Sequence, residues 1–324
     1  MTEILRVENL TITYYSHSGS SQIGVKNINF SLNEGEIYGI VGESGSGKST
    51  ILLAIMGLLY EKAKIEGKIY FRGKEIQNLN KKEMKEVCFK EIGLIFQNQM
   101  ESLNPSLTIE RQILEILRKK FSDKNELQKK LDEVLEMVGL ELKNKKKYPH
   151  ELSGGMRQRV MIAMALACQP SLLICDEPTT ALDVTVQAQI LQIIDRMKQD
   201  LGTAVMLITH DMGVVSEMAD WVLVMYAGHR VEYAQSAELF TNPLHPYAQG
   251  LIASIPSFDE RTKELYAIPG SVPMLSHMPS GCTFHPRCPF AKDICKNRRP
   301  SLTAVGEDNC HTVSCWKYTD EWGE

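Results

Sequence analysis

The 324-residue sequence has no apolar run near the ~20 residues that cross a bilayer; Trp221–Ala227 is far too short. Its opening, Met-Thr-Glu-Ile-Leu-Arg, lacks the basic-then-apolar order of a secretory signal. A cytoplasmic, reducing setting is therefore expected, and any work at a membrane requires other chains to supply the spans. Excess positive charge is missing too. The net charge is −4, so no global basic field points to nucleic acid, and no nucleic-acid partner is expected. The clusters Lys81–Lys85 and Lys143–Lys147 read as solvated faces.

What is present begins at Gly35. Apolar content of 43% and charged content of 23% are those of an ordinary globular protein, and the length leaves room for two domains. Ile37 to Val41 reads as a short buried strand. Gly42, Gly45 and Gly47 then form a loop without side-chain bulk, and Lys48-Ser49-Thr50 opens a helix carrying Ile51, Leu52, Ile55, Leu58 and Leu59. Unpaired amides at such a helix start favour an anion. The spacing Gly42-x4-Gly47-Lys48-Ser49 adds a lysine for the β/γ-phosphates and a hydroxyl for Mg²⁺. The stretch predicts a nucleoside triphosphate site.

Along the chain, residues 3–33 alternate apolar and polar and predict antiparallel strands, with Tyr14 and Tyr15 facing opposite ways. An exposed tyrosine there has two readings, a stacking partner for adenine or an ordinary edge residue. Lys64–Ile76 reads as a hairpin around Arg72-Gly73, and Gly93–Phe96 as a strand ending at Gln97. Helical periodicity then runs from Ile109 to Leu140, predicting a helical subdomain at about 98–165. Ser153-Gly154-Gly155 opens another helix, either as a plain cap or as a second anion cradle. Leu172–Asp176 is an apolar strand whose terminal Asp176 suits Mg²⁺, followed by Glu177, placed to orient and deprotonate water. A further strand ends at His210. After Asn242 the sequence turns rich in Pro, Gly and Cys and poor in core-forming residues, so a boundary is expected near 235–245.

Together these motifs, in this order, resemble the nucleotide-binding subunit of an ABC transporter over nearly all of residues 3–240. The resemblance implies an α/β P-loop ATPase, with a mixed sheet core, an antiparallel β subdomain and a helical subdomain. It implies that Gly42, Ser44, Gly45, Ser46, Gly47, Lys48, Ser49 and Thr50 hold ATP, with Mg²⁺ met by Ser49, Gln97 and Asp176. Glu177 and His210 correspond to the catalytic carboxylate and the γ-phosphate histidine, acting with Lys48. Tyr14, or else Tyr15, corresponds to the adenine-stacking aromatic. Ser153, Gly154, Gly155 and Asp183 are implied to act in trans on ATP held by a partner subunit. Met156 departs from the family pattern, which commonly has Gln there.

The tail narrows the resemblance. Asn242–Tyr247, Ile268–Pro273 and Gly281–Pro289 are similar to the C-terminal domain of oligopeptide and dipeptide importer ATPases, and Met156 with Met100–Pro105 resembles their D type. This implies an ATP-binding domain at 1–240 and an accessory domain at 241–324. It also implies an F-type paralogous ATPase, two transmembrane permease subunits and an external peptide-binding protein as partners, at the cytoplasmic face of the membrane. The cargo would be dipeptides or oligopeptides, with nickel, metallophore or glutathione as alternatives. Of eight cysteines, five lie between Cys282 and Cys315. In the family, four cysteines of the tail can hold a [4Fe–4S] cluster, here Cys282, Cys288, Cys295 and Cys315. By count alone, zinc is an equal reading, although the short Cys-x2–4-Cys knuckle is missing among the first three; Cys310 is an alternative fourth ligand. Free thiols are a third reading of these cysteines. An iron–sulfur regulator that happens to bind ATP is a further reading of the chain, as is a soluble mechanical ABC ATPase of DNA repair or translation, against which the missing long coiled coil and second phosphate loop argue.

Overall fold

A computed structural model describes residues 2–15, 21–59, 63–96, 103–180, 183–255, 266–306 and 309–323. Its strands are β1 (Glu3–Tyr15), β2 (Ser21–Asn33), β3 (Ile37–Val41), β4 (Ala63–Phe71), β5 (Lys74–Glu75), β6 (Ile92–Ile95), β7 (Leu172–Asp176), β8 (Ala204–Thr209), β9 (Trp221–Tyr226), β10 (His229–Gln235), β11 (Thr303–Val305) and β12 (His311–Val313). The α-helices follow the same order. They are α1 (Lys48–Ile55), α2 (Lys81–Lys90), α3 (Ile109–Leu117), α4 (Lys124–Met137), α5 (Gly154–Leu166), α6 (Val184–Leu201), α7 (Met212–Met218), α8 (Ser236–Thr241), α9 (Pro246–Ala253) and α10 (Asp293–Asn297). No helix among the described residues is long and apolar enough to cross a membrane.

Two compact units divide the chain: 1–4, 32–36 and 72–207 form the first, and 5–31, 37–71 and 208–324 the second. In the first, the strand order is β8–β7–β6. β6 and β7 run parallel, with Ile92 opposite Leu172 and Ile95 opposite Cys175. β7 is buried along its whole length, as its unbroken apolar run requires. Helices α3, α4 and α5 pack on one another, and their Ile113, Leu117, Leu131, Leu135 and Ala163 are buried. The helical stretch expected over 109–140 comprises two helices, α3 and α4. Asp123 starts the second one, its carboxylate accepting the Glu126 N–H at 2.8 Å.

In the second unit, β1 lies between β2 and β4. β1 and β4 are antiparallel, Leu5 opposite Phe71 and Tyr14 opposite Ala63. The other strands are ordered β11–β12–β10–β9–β3. β3 is parallel to β9, whereas β9–β10 and β10–β12 are antiparallel, so this sheet is mixed. The β9–β10 hairpin turns at Ala227 and Gly228, both at positive φ (47° and 78°), as a two-residue turn with the twist of its strands demands. The core joins Val41, Val222, Val224 and Tyr226 to Tyr247 and Phe284. The tail, poor in core-forming residues by composition, joins this core through Tyr247 and Phe284. Two large aromatics there bury the area of several aliphatic side chains.

Candidate active site

The phosphate loop lies in the second unit. Fully buried β3 delivers the chain to Gly42, where φ is +151° and a β-carbon would stand 2.2 Å from the Met225 carbonyl oxygen. Only glycine fits there. Gly47 caps α1 in the left-handed region, at φ +99°, so the helix starts at Lys48 with its amino end facing the loop. Lys48 is buried, and its Nζ donates to the carbonyls of Gly42 (2.6 Å) and Glu43 (3.0 Å). A buried ammonium held by carbonyl oxygens, at the positive end of a helix, is a poised partner for a phosphate. The Ser46 carbonyl accepts from Gly228 N at 2.9 Å, tying the loop to the β9–β10 turn. Ser44, Gly45 and Ser49 are exposed on the loop and at the helix start.

Tyr14 reaches this loop. Its hydroxyl donates to Thr50 Oγ1 at 3.2 Å, and its ring covers Gly24, where a β-carbon would lie 2.6 Å from Cε2. Tyr15 is 56% exposed on the opposite strand face. His210 is exposed just past β8, and the next residue, Asp211, caps α7 by accepting from Gly213 and Val214 N–H.

The first unit carries the other candidates. Asp176 ends β7 and is buried. Glu177 follows at φ +52°, a left-handed conformation unusual for a non-glycine residue and common at functional sites. Thr180 steadies it, its hydroxyl donating to Glu177 Oε2 at 2.8 Å. Gln158 on α5 donates to the Pro178 carbonyl at 3.0 Å, tying the serine–glycine helix to the segment after the two carboxylates. Ser153 caps α5 by accepting the Met156 N–H at 3.3 Å, and Asp183 caps α6 by accepting from Val186 at 2.9 Å. A β-carbon on Gly155 would meet Val186 Cγ2 at 3.2 Å. Gln97 lies outside the described residues.

Two family models match the chain: ABC transporter over residues 25–180, and oligopeptide/dipeptide transporter C-terminal region over 231–295. The oligopeptide transport ATP-binding protein OppD of Salmonella typhimurium is 47% identical, covering 98% of this chain and 95% of that protein. The chain belongs to the oligopeptide and dipeptide transport ATP-binding proteins of the ABC transporter family. The dipeptide transport ATP-binding protein DppD of Bacillus subtilis is 43% identical, over 98% of this chain and 95% of its own. Among solved structures, the dimeric bacterial ABC transporter cassette MJ0796 aligns with a TM-score of 0.65 at 32% identity. It covers 72% of this chain and 99% of the cassette. The protein is thus an ABC-type ATPase, whose family uses ATP and Mg²⁺.

The cysteines of this ABC ATPase's tail have converged. Cys282, Cys288, Cys295 and Cys315 line one small cavity with His245, Phe284 and Trp316, while exposed Cys310 is not among its lining. No disulfide occurs among the described residues, and no group of three or more His, Cys, Asp or Glu side chains there is arranged to hold a metal ion. The four-thiolate ligand set expected from the resemblance is therefore not formed as a cage. Desolvation, with neighbouring cysteines adding, pushes the Cys282 and Cys288 thiols above their ordinary range and Cys315 up to about 12. Sequence reasoning also passed over Glu43, Tyr247 and Arg287. Their relation spans most of the chain, and no local spacing signals it.

Proposed function

We propose that this protein powers uptake of short peptides by binding and hydrolysing ATP against two transmembrane permease subunits, with an external peptide-binding protein delivering the cargo. One observation carries the reading. The glycine loop holding buried Lys48 at the start of α1 sits in a chain similar, over almost its full length, to oligopeptide and dipeptide transport ATP-binding proteins. Residues 1–240 act as the ATP-binding domain and 241–324 as the accessory domain of peptide importers, at the cytoplasmic face of the membrane.

In this reading Gly42–Thr50 cradles the phosphates and Lys48 neutralises charge on the β- and γ-phosphates. Ser49, Gln97 and Asp176 hold Mg²⁺. Glu177 aligns and deprotonates the attacking water, His210 contacts the γ-phosphate, and Tyr14 stacks on adenine. Ser153–Gly155 and Asp183 close over ATP bound to an F-type paralogue. Four cysteine sulfurs lining one cavity are the donor set that a [4Fe–4S] cluster, or zinc in its place, would take from Cys282, Cys288, Cys295 and Cys315. Bound there, the group would staple the tail, its positive charge lowering the thiol pKa values that burial raises.

The test is reconstitution with its permease subunits in lipid vesicles and measurement of ATP-dependent accumulation of labelled di- and oligopeptides. Peptide uptake lost in Lys48→Ala supports the reading. Uptake of nickel or glutathione in place of peptides, or uptake indifferent to Lys48→Ala, overturns it.

A further inference from the structure

Glu43 sits inside the phosphate loop and Arg287 inside the cysteine-rich tail, 244 positions later, yet they form a two-pronged ion pair. Arg287 Nη1 donates to Glu43 Oε2 at 2.7 Å and Nη2 to Oε1 at 3.1 Å. The arginine side chain is only 5% exposed. Its remaining donors are held as well, Nε by the Pro269 carbonyl at 2.8 Å and Nη2 by the Ile268 carbonyl at 3.2 Å. The rings of Tyr226 and Phe284 flank the guanidinium at 5.8 and 6.0 Å. A planar fork so enclosed has one orientation, and it presents that orientation to the carboxylate.

The same loop residue is held a second time. Glu43 N donates to the Tyr247 hydroxyl at 2.8 Å, and the Tyr247 ring packs edge-on against Tyr226, centroids 4.7 Å apart. The tail thus grips both the side chain and the backbone of Glu43. The third polar group of that residue, its carbonyl, faces the site: it accepts from Lys48 Nζ at 3.0 Å and from Ser46 N at 3.2 Å. Fixing Glu43 therefore fixes the carbonyl that holds the phosphate-binding lysine.

We propose that Arg287 and Tyr247 are positioning residues for nucleotide binding, setting the phosphate loop through Glu43 so that Lys48 and the loop amides are preorganised for the triphosphate. The inference rests on the reading of Gly42–Thr50 as that loop. It makes the tail a working part of the ATP site, where a simple appendage would leave the loop to fold unaided.

The experiment measures the ATP dissociation constant by calorimetry on the full chain, together with KM and kcat in the assembled transporter. The variants are Glu43→Gln, Arg287→Gln, their double mutant, Arg287→Lys and the control Lys48→Ala. Each neutralising single variant should weaken ATP binding by about tenfold, less than the up to ~10²-fold that a misplacement of about 1 Å can cost. KM should rise by that factor with kcat within about twofold, and the double mutant should be no worse than the weaker single. Arg287→Lys, which keeps the charge and loses the fork, should fall between. Wild-type affinity in a Glu43→Gln or Arg287→Lys variant shown to be folded by circular dichroism overturns the proposal, as do losses that multiply in the double mutant. Should Lys48→Ala itself bind ATP normally, the reading of the loop fails, and that result is separate from failure of the clamp.

Discussion

His311 Nε2 lies 2.7 Å from Glu232 Oε1, a contact between two buried side chains of β12 and β10. The same carboxylate accepts the N–H groups of Leu244 (2.8 Å) and His245 (2.7 Å), just before α9. One acid therefore joins the sheet, its added strand and the approach to the next helix. Burial pushes the His311 pKa down, but the hydrogen bond and charge of Glu232, with Glu238 3.6 Å from Nδ1, outweigh it, and the net shift is upward.

A raised folded pKa means that the charged pair contributes its full stability below the ordinary histidine value of about 6.5 and loses it as pH climbs through the folded value. Thermal melting followed by circular dichroism should show a midpoint falling over that interval. In His311→Gln this component of the pH dependence should vanish. A wild-type curve superimposable on the mutant's would contradict the pairing.

Glu177→Gln tests the carboxylate after β7. The amide keeps the shape and the Thr180 contact, so ATP affinity should be unchanged. Hydrolysis should slow by about 10²–10⁴, the usual worth of a positioned general base. Turnover near the wild-type rate would remove Glu177 from the mechanism.

Two glycines of the phosphate loop should respond differently to alanine. At Gly42 a β-carbon would meet backbone oxygen at 2.2 Å, whereas at Gly45, also at positive φ (+81°), it would meet nothing within 4 Å. Gly45→Ala should cost about 1–2 kcal/mol from backbone conformation alone. Gly42→Ala adds an overlap with a strand and should cost about 4 kcal/mol or fail to fold. Denaturant titration of both variants measures the difference.

Purified protein should carry about four irons per chain and absorb visible light if a [4Fe–4S] cluster occupies the cysteine cavity. Cys315→Ser should then lose iron and melt earlier, while Cys310→Ser should do neither. A colourless preparation containing zinc would assign the cavity to that metal.

Much of the fold was legible because its signals are local. The run Ile37–Val41, the glycines after it and the helix from Lys48 occupy adjacent positions, so spacing alone specifies an anion cradle. Strand β7 ending at Asp176 was readable for the same reason. Between Leu117 and Leu127 the apolar period lapses, and the second helix of the insert starts there at the Asp123 cap. The left-handed backbone of Glu177 had no sequence signal, since glutamate does not favour that conformation.

By itself, then, the sequence determined the class of machine: a triphosphate loop, two carboxylates after an apolar strand, and a histidine beyond the next. Tertiary structure alone decided that Glu43 belongs to Arg287 and Tyr247, that Glu232 belongs to His311, and that four scattered cysteines share one cavity. The physical reason is range. Backbone propensity and side-chain periodicity act over a few residues and leave their mark in the order of the chain. Partners separated by scores of residues are chosen only when folding removes water from between them, and a buried charge must then find its counter-charge wherever the chain has brought it.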